Sequence, residues 1–390
     1  MEAIKTRSSI FAAGLAIFAM FFGAGNIVFP LIVGQFSLNQ NIFGILGMSI
    51  TAVLVPLIGL LGIILYEGDY MAFFQRIGKK SGFLMVALIL CLIGPLGAIP
   101  RCITVSYSTL VAFGFDKLPY GQLPFFSLIS CVLIFLFTIR PAGLIDVLGK
   151  FLTPILLLFL GIIIVKGLWT MPAMEISPNT PLQTFCRGFL DGYHTMDLLA
   201  SFFFSSVVLL CLRQKASTIS AARLFPIAVG GAVVAATLLL VMYMCFSTLA
   251  AGHSHLFENV PPHQLLGAMS KAILGQSAGL IASSTVFFAV FTTEIALATV
   301  FAKFLQEHLL RGKISYSLAL LVTLVVSFGV STLHFDGIVR FIGPILQLCY
   351  PALIALSVAN IVAKLYGRDY AKPLFYGTLA VTACMMYLSA

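Results

Sequence analysis

Charge is what this sequence has least of. Only 9% of its 390 residues are Asp, Glu, Lys or Arg, 60% are hydrophobic, and the mean hydropathy is +1.09. A soluble domain carries about 25% charged residues. With 22 Lys+Arg and 13 Asp+Glu, the chain cannot cover a water-facing surface of its size. Other absences narrow the function. No His-Glu-x-x-His run, nucleophile elbow or nucleotide-binding loop is present, so nothing points to a metalloprotease or hydrolase, and ATP-driven import would need a separate partner. Asp191 and Asp197 do not form the short paired motif of an aspartyl intramembrane protease. The 8 cysteines follow no metal spacing; Cys91, Cys131, Cys211, Cys245, Cys349 and Cys384 lie in or beside apolar runs, where a thiol behaves as a small hydrophobe. The net charge of +9 is scattered between apolar segments and is no nucleic-acid footprint. From Ser9 to Val33 the first apolar stretch lacks a small-residue cleavage site followed by polar sequence, so it reads as a spanning helix and not a removable leader.

What is present is a series of apolar runs near or above the roughly 20 residues that a membrane helix needs. They are continuous and do not alternate, which excludes barrel strands. Hydropathy between charge clusters predicts about 11 spans: 9–37, 41–66, 82–114, 122–139, 147–168, 186–211, 225–250, 276–305, 314–332, 338–363 and 374–389. With the N-terminus inside, one face collects Lys5/Arg7, Arg76/Lys79/Lys80, Arg140/Lys150, Arg213/Lys215/Arg223, Lys303/Arg311/Lys313 and Lys364/Arg368/Lys372. The other keeps Lys117, Lys166 and Lys271, with Arg187 and Arg340 near span ends. The bias predicts a cytoplasmic N-terminus.

Three stretches combine Gly, Pro and polar side chains inside apolar spans. Phe21–Pro30 puts Gly23, Ala24, Gly25 and Asn26 in the middle of span 1, followed by Pro30, which cannot donate its turn's backbone bond. Gly188–Leu199 puts Asp191, Gly192, Tyr193, His194, Thr195, Met196 and Asp197 in span 6. Asp191 is also compatible with an interfacial loop; Asp197, which precedes a dense apolar run, is an expensive group at membrane depth and so a functional candidate. Gly94–Arg101 combines a proline kink with a guanidinium in span 3. Arg101 cannot lose its proton and needs an acceptor, either a carboxylate such as Asp197 or Glu294, or the carbonyls of a broken helix.

Taking spans 1 and 6 as the discontinuous helices, five spans begin with each. An odd number per half inverts the second half: residues 1–168 and 169–365 would be inverted repeats, and 366–390 an added span. This is the arrangement in which two interrupted helices build a midplane site. Backbone N–H groups around Gly23–Gly25 and Gly192–Thr195 would take a carboxylate, and the carbonyls of the breaks with Asn26 an ammonium. Phe18, Phe21, Phe22, Phe189, Tyr193, Met196 and Phe202–Phe204 could wall an apolar pocket, although 35 Phe residues cannot all line one. In span 8, Ser283-Ser284-Thr285 and Thr292-Thr293 offer hydroxyls for an oxygen-only cation site, with helix packing the alternative for the serines. Glu294 stands deep in the same span as a cation ligand, proton carrier or partner of Arg101. His253, His255 and His263 read as a solvated outer loop.

Phe21–Pro30, Gly94–Arg101, Gly188–Asp197 and, in span 10, Leu346–Pro351 together resemble the signatures of the bacterial branched-chain amino-acid:cation symporters, the BrnQ-type carriers, over about residues 8–365. The resemblance implies a multi-pass inner-membrane symporter with the five-plus-five inverted-repeat transporter fold. It would take up leucine, isoleucine and valine with Na+ or H+ as transported ion and no tightly bound cofactor. Within that fold the substrate lies between the breaks of spans 1 and 6, and a sodium site would use Ala24 and Gly25 with Thr292 and Thr293. An amino-acid substrate and the lipid bilayer are the implied partners, with no nucleic acid and no obligate protein. The chain departs from the pattern at Thr293–Leu297, where members are Gly- and Thr-rich and this chain carries Glu294; the departure favours proton coupling or another cation geometry. It also ends where members show a twelfth span, which would place its C-terminus outside. The rival readings are a symporter for small neutral amino acids such as alanine or serine, and a channel, which would need a continuous polar path.

Overall fold

The computed structural model describes residues 2–117, 121–139, 153–215 and 221–389, and among them all regular structure is helical. Span 1 forms two helices, α1 (Glu2–Phe21) and α2 (Ala24–Ser37). Span 2 follows as α3 (Asn41–Ser49), a wide π turn at Ile50–Leu54, and α4 (Val55–Leu65). A short α5 (Tyr70–Gln75) precedes span 3, which is also two helices, α6 (Lys79–Ile93) and α7 (Ala98–Val111). Next come α8 (Leu123–Thr138) and α9 (Thr153–Trp169); the start of the expected fifth span, 147–152, lies outside the described residues. Span 6 is α10 (Pro181–Tyr193) and α11 (Asp197–Lys215), and span 7 is α12 (Ala221–Gly252). An α13 (Leu265–Leu274) not expected from hydropathy precedes α14 (Gln276–Phe304). The chain continues as α15 (Tyr316–Ser331), α16 (His334–Tyr366) and α17 (Ala371–Ser389).

Among the described residues, five helical segments are long and apolar enough to cross a membrane: Ala24–Leu65, Lys79–Val111, Phe225–Gly252, Gln276–Leu309 and His334–Tyr366. Four shorter apolar helices, Ile10–Phe21, Leu123–Thr138, Leu157–Trp169 and Tyr316–Ser331, accompany them. The expected sixth and eleventh spans are helical but fall outside these nine. The sixth is divided by its break and carries polar side chains; the eleventh includes Lys372, Tyr376 and Tyr387.

Packing between the spans is reciprocal. Both halves of span 1 lie along α12 in span 7, and the halves of span 6 lie along α3 and α4 in span 2. Span 3 packs on span 8 and span 4 on span 9. Span 10 touches spans 2 and 3 as span 5 touches spans 7 and 8. Exchanging spans 1–5 for 6–10 maps this pattern onto itself, as a pseudo-two-fold relation between two five-helix units requires. Small residues permit the closest crossings. A Cβ on Gly188 would stand 2.1 Å from the Gly44 carbonyl oxygen, one on Gly47 2.1 Å from that of Phe185, and one on Gly34 2.1 Å from that of Ser247.

Candidate functional site

The helix of span 1 stops where Gly23 takes an extended conformation (φ −115°, ψ −164°). Its freed N–H donates to Asn26 Oδ1 at 3.0 Å, so the asparagine folds back to cap the helix it opens. In span 6 the chain leaves α10 through tight turns at His194, Thr195 and Met196, whose N–H groups reach carbonyls three residues back. Met196 has a φ of +63°, a left-handed conformation that costs a non-glycine residue about 1 kcal/mol or more and clusters at working sites. Helix α11 then starts at Asp197. Its first donors find side chains: Asp197 N–H reaches Thr195 Oγ1 at 3.4 Å, and Leu198 N–H reaches the Tyr350 hydroxyl at 3.3 Å.

Span 3 departs from expectation. The sequence predicts a kink, whereas helix α6 ends at Ile93 and α7 begins at Ala98. Pro95 and Pro100 remove two donors. Over the gap the bonds widen to five residues, Leu96 N to Cys91 O at 3.0 Å and Ile99 N to Gly94 O at 3.3 Å. Helices α6 and α7 share few contacts, as for pieces that continue one another and not for a hairpin. Among the described residues the discontinuous helices are therefore three, in spans 1, 3 and 6.

The three breaks converge on one partly open cavity, with about 400 Å³ of non-atom space that includes its opening to solvent. Its lining includes the polar side chains of Asn26, Arg101, Thr195, Asp197 and Thr293, the break residues Gly23, Ala24, Gly25 and Met196, and an apolar wall of Met20, Phe21, Ile93, Ala98, Ala200, Phe204 and Leu297. Gly25 is obligatory at this meeting: a Cβ there would lie 2.9 Å from Thr195 Cα and 3.0 Å from the Thr195 carbonyl oxygen.

The buried Asp197 carboxylate is the centre of a network. Oδ2 accepts from Asn26 Nδ2 at 2.7 Å and from the Tyr243 hydroxyl at 2.8 Å, and Asn26 Nδ2 also donates to that hydroxyl. Arg101 donates through Nη1 to the His194 carbonyl at 2.8 Å and meets Met196 Sδ at 3.2 Å. The rings of Phe29 and Phe335 stand 5.1 and 5.5 Å from its guanidinium carbon. Its guanidinium charge thus rests on a broken-helix carbonyl and two aromatic rings. Among the described residues Arg101 makes no salt bridge with Asp197 or with Glu294.

Several expected site residues point elsewhere. Gly192 packs against Thr51, whose hydroxyl donates from the π turn of span 2 to Phe189 O at 2.8 Å. Tyr193 packs against Tyr350 with tilted rings whose centroids are 4.5 Å apart, and His194 stacks on Phe29 at 5.0 Å. Asp191 is answered within its own helix by Arg187 at 2.8 Å. Thr292 spends its hydroxyl on Ala289 O at 2.7 Å, while Thr293 lines the cavity and its buried hydroxyl has no partner among the described residues. Of the proposed cation ligands, Ala24, Gly25 and Thr293 are brought together and Thr292 is not. Glu294 is buried without a hydrogen bond or ion pair among the described residues, and the thiols of Cys102 and Cys131 lie within electrostatic reach of it. Of the aromatics expected to wall the pocket, Phe21 and Phe204 do so. Two phenols were not singled out as site residues by the sequence reading: Tyr243, and Tyr350, which entered only as part of the Leu346–Pro351 motif; each is a hydroxyl inside a largely apolar run, which is the signal that could have found them. The solvated-loop reading of the histidines holds for His255 alone. His253 is buried with Nδ1 3.1 Å from Leu249 O, and His263 packs on Phe335 with Nδ1 3.6 Å from Asp336.

The family described as "Branched-chain amino acid transport protein" matches residues 6–390. The chain belongs to that family. Among curated members, the branched-chain amino acid transport system 3 carrier protein of Pseudomonas aeruginosa is 31% identical over 373 residues, covering 94% of this chain and 83% of the relative. The permease BraB of Bacillus subtilis is 30% identical, covering 90% and 80%, and the permease BrnQ of Corynebacterium glutamicum 28%, covering 93% and 83%. As a branched-chain transport family member the chain also shares its fold with distant solved transporters. The inward-facing conformation of Mhp1 matches at TM-score 0.67 and 16% identity, over 94% of this chain and 79% of that one. MhsT in complex with L-phenylalanine matches at TM-score 0.66 and 16% identity, over 97% and 98%. The fold is that of the five-plus-five inverted-repeat transporters with discontinuous helices, and the chain is a secondary-active amino-acid carrier, not an enzyme.

Proposed function

We propose that the protein imports branched-chain amino acids by alternating access, driven by sodium or proton influx. The observation that carries this is the cavity itself: three broken helices bring Asn26, Asp197 and Arg101 together with Thr293 of span 8 in a lining that is otherwise largely aliphatic and aromatic. Polar groups there suit an α-amino-acid head, and the apolar wall suits a leucine, isoleucine or valine side chain. The names of its curated relatives, carriers of branched-chain amino acids, favour the same substrates.

Within this reading the chain has about 11 spans, an N-terminus in the cytoplasm of a bacterial cell, inverted repeats over 1–168 and 169–365, and an additional C-terminal span over 366–390. The coupling ion is cargo. Carbonyls of Ala24 and Gly25 with the unpartnered Thr293 hydroxyl offer oxygen ligands of the kind sodium takes. Glu294, one residue further on, is the rival: a charge buried without a partner costs several kcal/mol, so a cation or a proton is its natural companion.

The test is leucine uptake into proteoliposomes of purified protein, with sodium and proton gradients imposed separately, for wild type and Glu294→Gln. Uptake driven by sodium and surviving in the variant assigns coupling to the hydroxyl–carbonyl site. Uptake driven by protons and lost in the variant assigns it to Glu294. No leucine uptake under either gradient, with reconstitution verified, refutes the branched-chain assignment and directs the screen to alanine and serine.

A further inference from the structure

Arg101 is an incompletely used guanidinium. Its five N–H donors lie in a plane, and Nη1 is engaged by the His194 carbonyl and Met196 Sδ. Nε and Nη2 are buried and have no partner among the described residues. These two nitrogens form the side edge of the guanidinium, whose parallel N–H bonds match the two oxygens of a carboxylate. The edge belongs to a residue that lines the cavity. Gly25 keeps the approach open, since a Cβ there would lie 3.1 Å from Nη2.

Asp197 lines the same cavity with the opposite charge. Both of its strong side-chain bonds end on Oδ2, from Asn26 and Tyr243, so Oδ1 has capacity for a further donor. The two charges are buried, share one cavity and do not form a salt bridge. A buried pair left apart is costly on both sides. A ligand that carries a carboxylate and an ammonium would complete both.

We propose, on the reading of this cavity as an amino-acid site, that Arg101 binds the substrate's α-carboxylate through Nε and Nη2 while Asp197 accepts from its α-ammonium. The site then selects for a zwitterion. An amine without a carboxylate leaves the guanidinium edge empty, and a carboxylic acid without an ammonium faces Asp197 with a second negative charge. This differs from carboxylate capture by helix-break N–H groups alone, because one side chain carries the selectivity.

The test measures ligand-dependent thermal stabilisation of the purified full chain, which also reports whether each variant folds. Leucine is compared with leucinamide, whose carboxylate is replaced by a neutral amide, and with 4-methylpentanoate, which lacks the ammonium. The wild type should bind each analogue about 100-fold or more weakly than leucine. In Arg101→Gln, leucine should weaken by about 100-fold while leucinamide changes by less than about 3-fold, so the gap closes. In Asp197→Asn the same closure should appear between leucine and 4-methylpentanoate. Because Arg101 also holds the His194 carbonyl, Arg101→Gln can fail to fold, and the wild-type arm then decides: leucinamide binding within about 3-fold of leucine overturns the proposal. Equal weakening of leucine and leucinamide in Arg101→Gln overturns it as well, leaving Arg101 a purely structural tie. A wild type that binds no leucine, with other α-amino acids screened, overturns the functional reading itself, an outcome distinct from either of these.

Discussion

The breaks in spans 1 and 6 occupy equivalent positions in the two halves and are made of different material. Span 1 opens with Gly23, Ala24, Gly25 and Asn26, carries no charge, and caps its own N–H with the asparagine. Span 6 opens with His194, Thr195, Met196 and Asp197, holds a left-handed methionine, and brings in a buried carboxylate. One break contributes room and the other contributes charge. The carboxylate can stand at membrane depth because Asn26, from the uncharged break, and Tyr243 both donate to it.

Removing the charge should have the largest effect. Asp197→Asn is expected to lower the initial rate of leucine uptake into proteoliposomes by about 100-fold or more; uptake within 3-fold of wild type would place the charge outside the working site. Removing the room comes next. Gly25→Ala sets a methyl group 2.9 Å from Thr195 Cα and should cost about 10- to 100-fold in the same assay, because backbone must shift to admit it. Gly23→Ala meets Thr293 Cγ2 at an ordinary 3.5 Å with a φ any residue adopts, so uptake should stay within about 3-fold. Equal losses in both variants would show that span 1 needs flexibility and not space. A smaller effect is expected from Tyr243→Phe, which removes one donor to Asp197 and should weaken leucine binding about 10-fold in a thermal-shift titration. The smallest contrast lies in span 8. Thr293→Ala should raise the sodium concentration for half-maximal uptake about 10-fold if that hydroxyl faces the ion, whereas Thr292→Ala, whose hydroxyl is spent on Ala289 O, should change it less than about 2-fold.

Much of this was legible in the sequence because membrane helices make polarity conspicuous. Gly23–Asn26 and His194–Asp197 stood out as glycine and ionisable residues in apolar runs, and the structure breaks its helices there. Most span limits followed from charge clusters, with α14 beginning at Gln276 as the run predicted. The severity of the third break did not follow: Gly94–Gly97 reads as a kink because a single proline usually bends a helix without ending it, whereas here two prolines remove donors and the bonds widen to Cys91 O and Gly94 O. Nor was Arg101's acceptor readable. A carboxylate was the obvious partner, yet the His194 carbonyl, freed by a break 93 residues away, took its place. The contribution of Tyr243 was hidden because one phenol in an apolar helix looks like any other aromatic until its neighbours are known. Which threonine of span 8 faces the cavity is a matter of helix rotation, and neighbouring hydroxyls give no periodicity to decide it.

The glycine crossings have a mechanical consequence. With Gly188 against the Gly44 carbonyl and Gly34 against that of Ser247, backbone rests on backbone and no side chain remains between the helices to roll or slide. Helix α10 is thereby bolted to span 2 and helix α2 to span 7, each in the opposite half of the molecule. A tilt of either half then carries part of the other with it, like meshed gears. Between these fixed crossings lie the breaks at Phe22–Gly23 and His194–Met196, which supply Gly23, Thr195 and Met196 to the cavity lining.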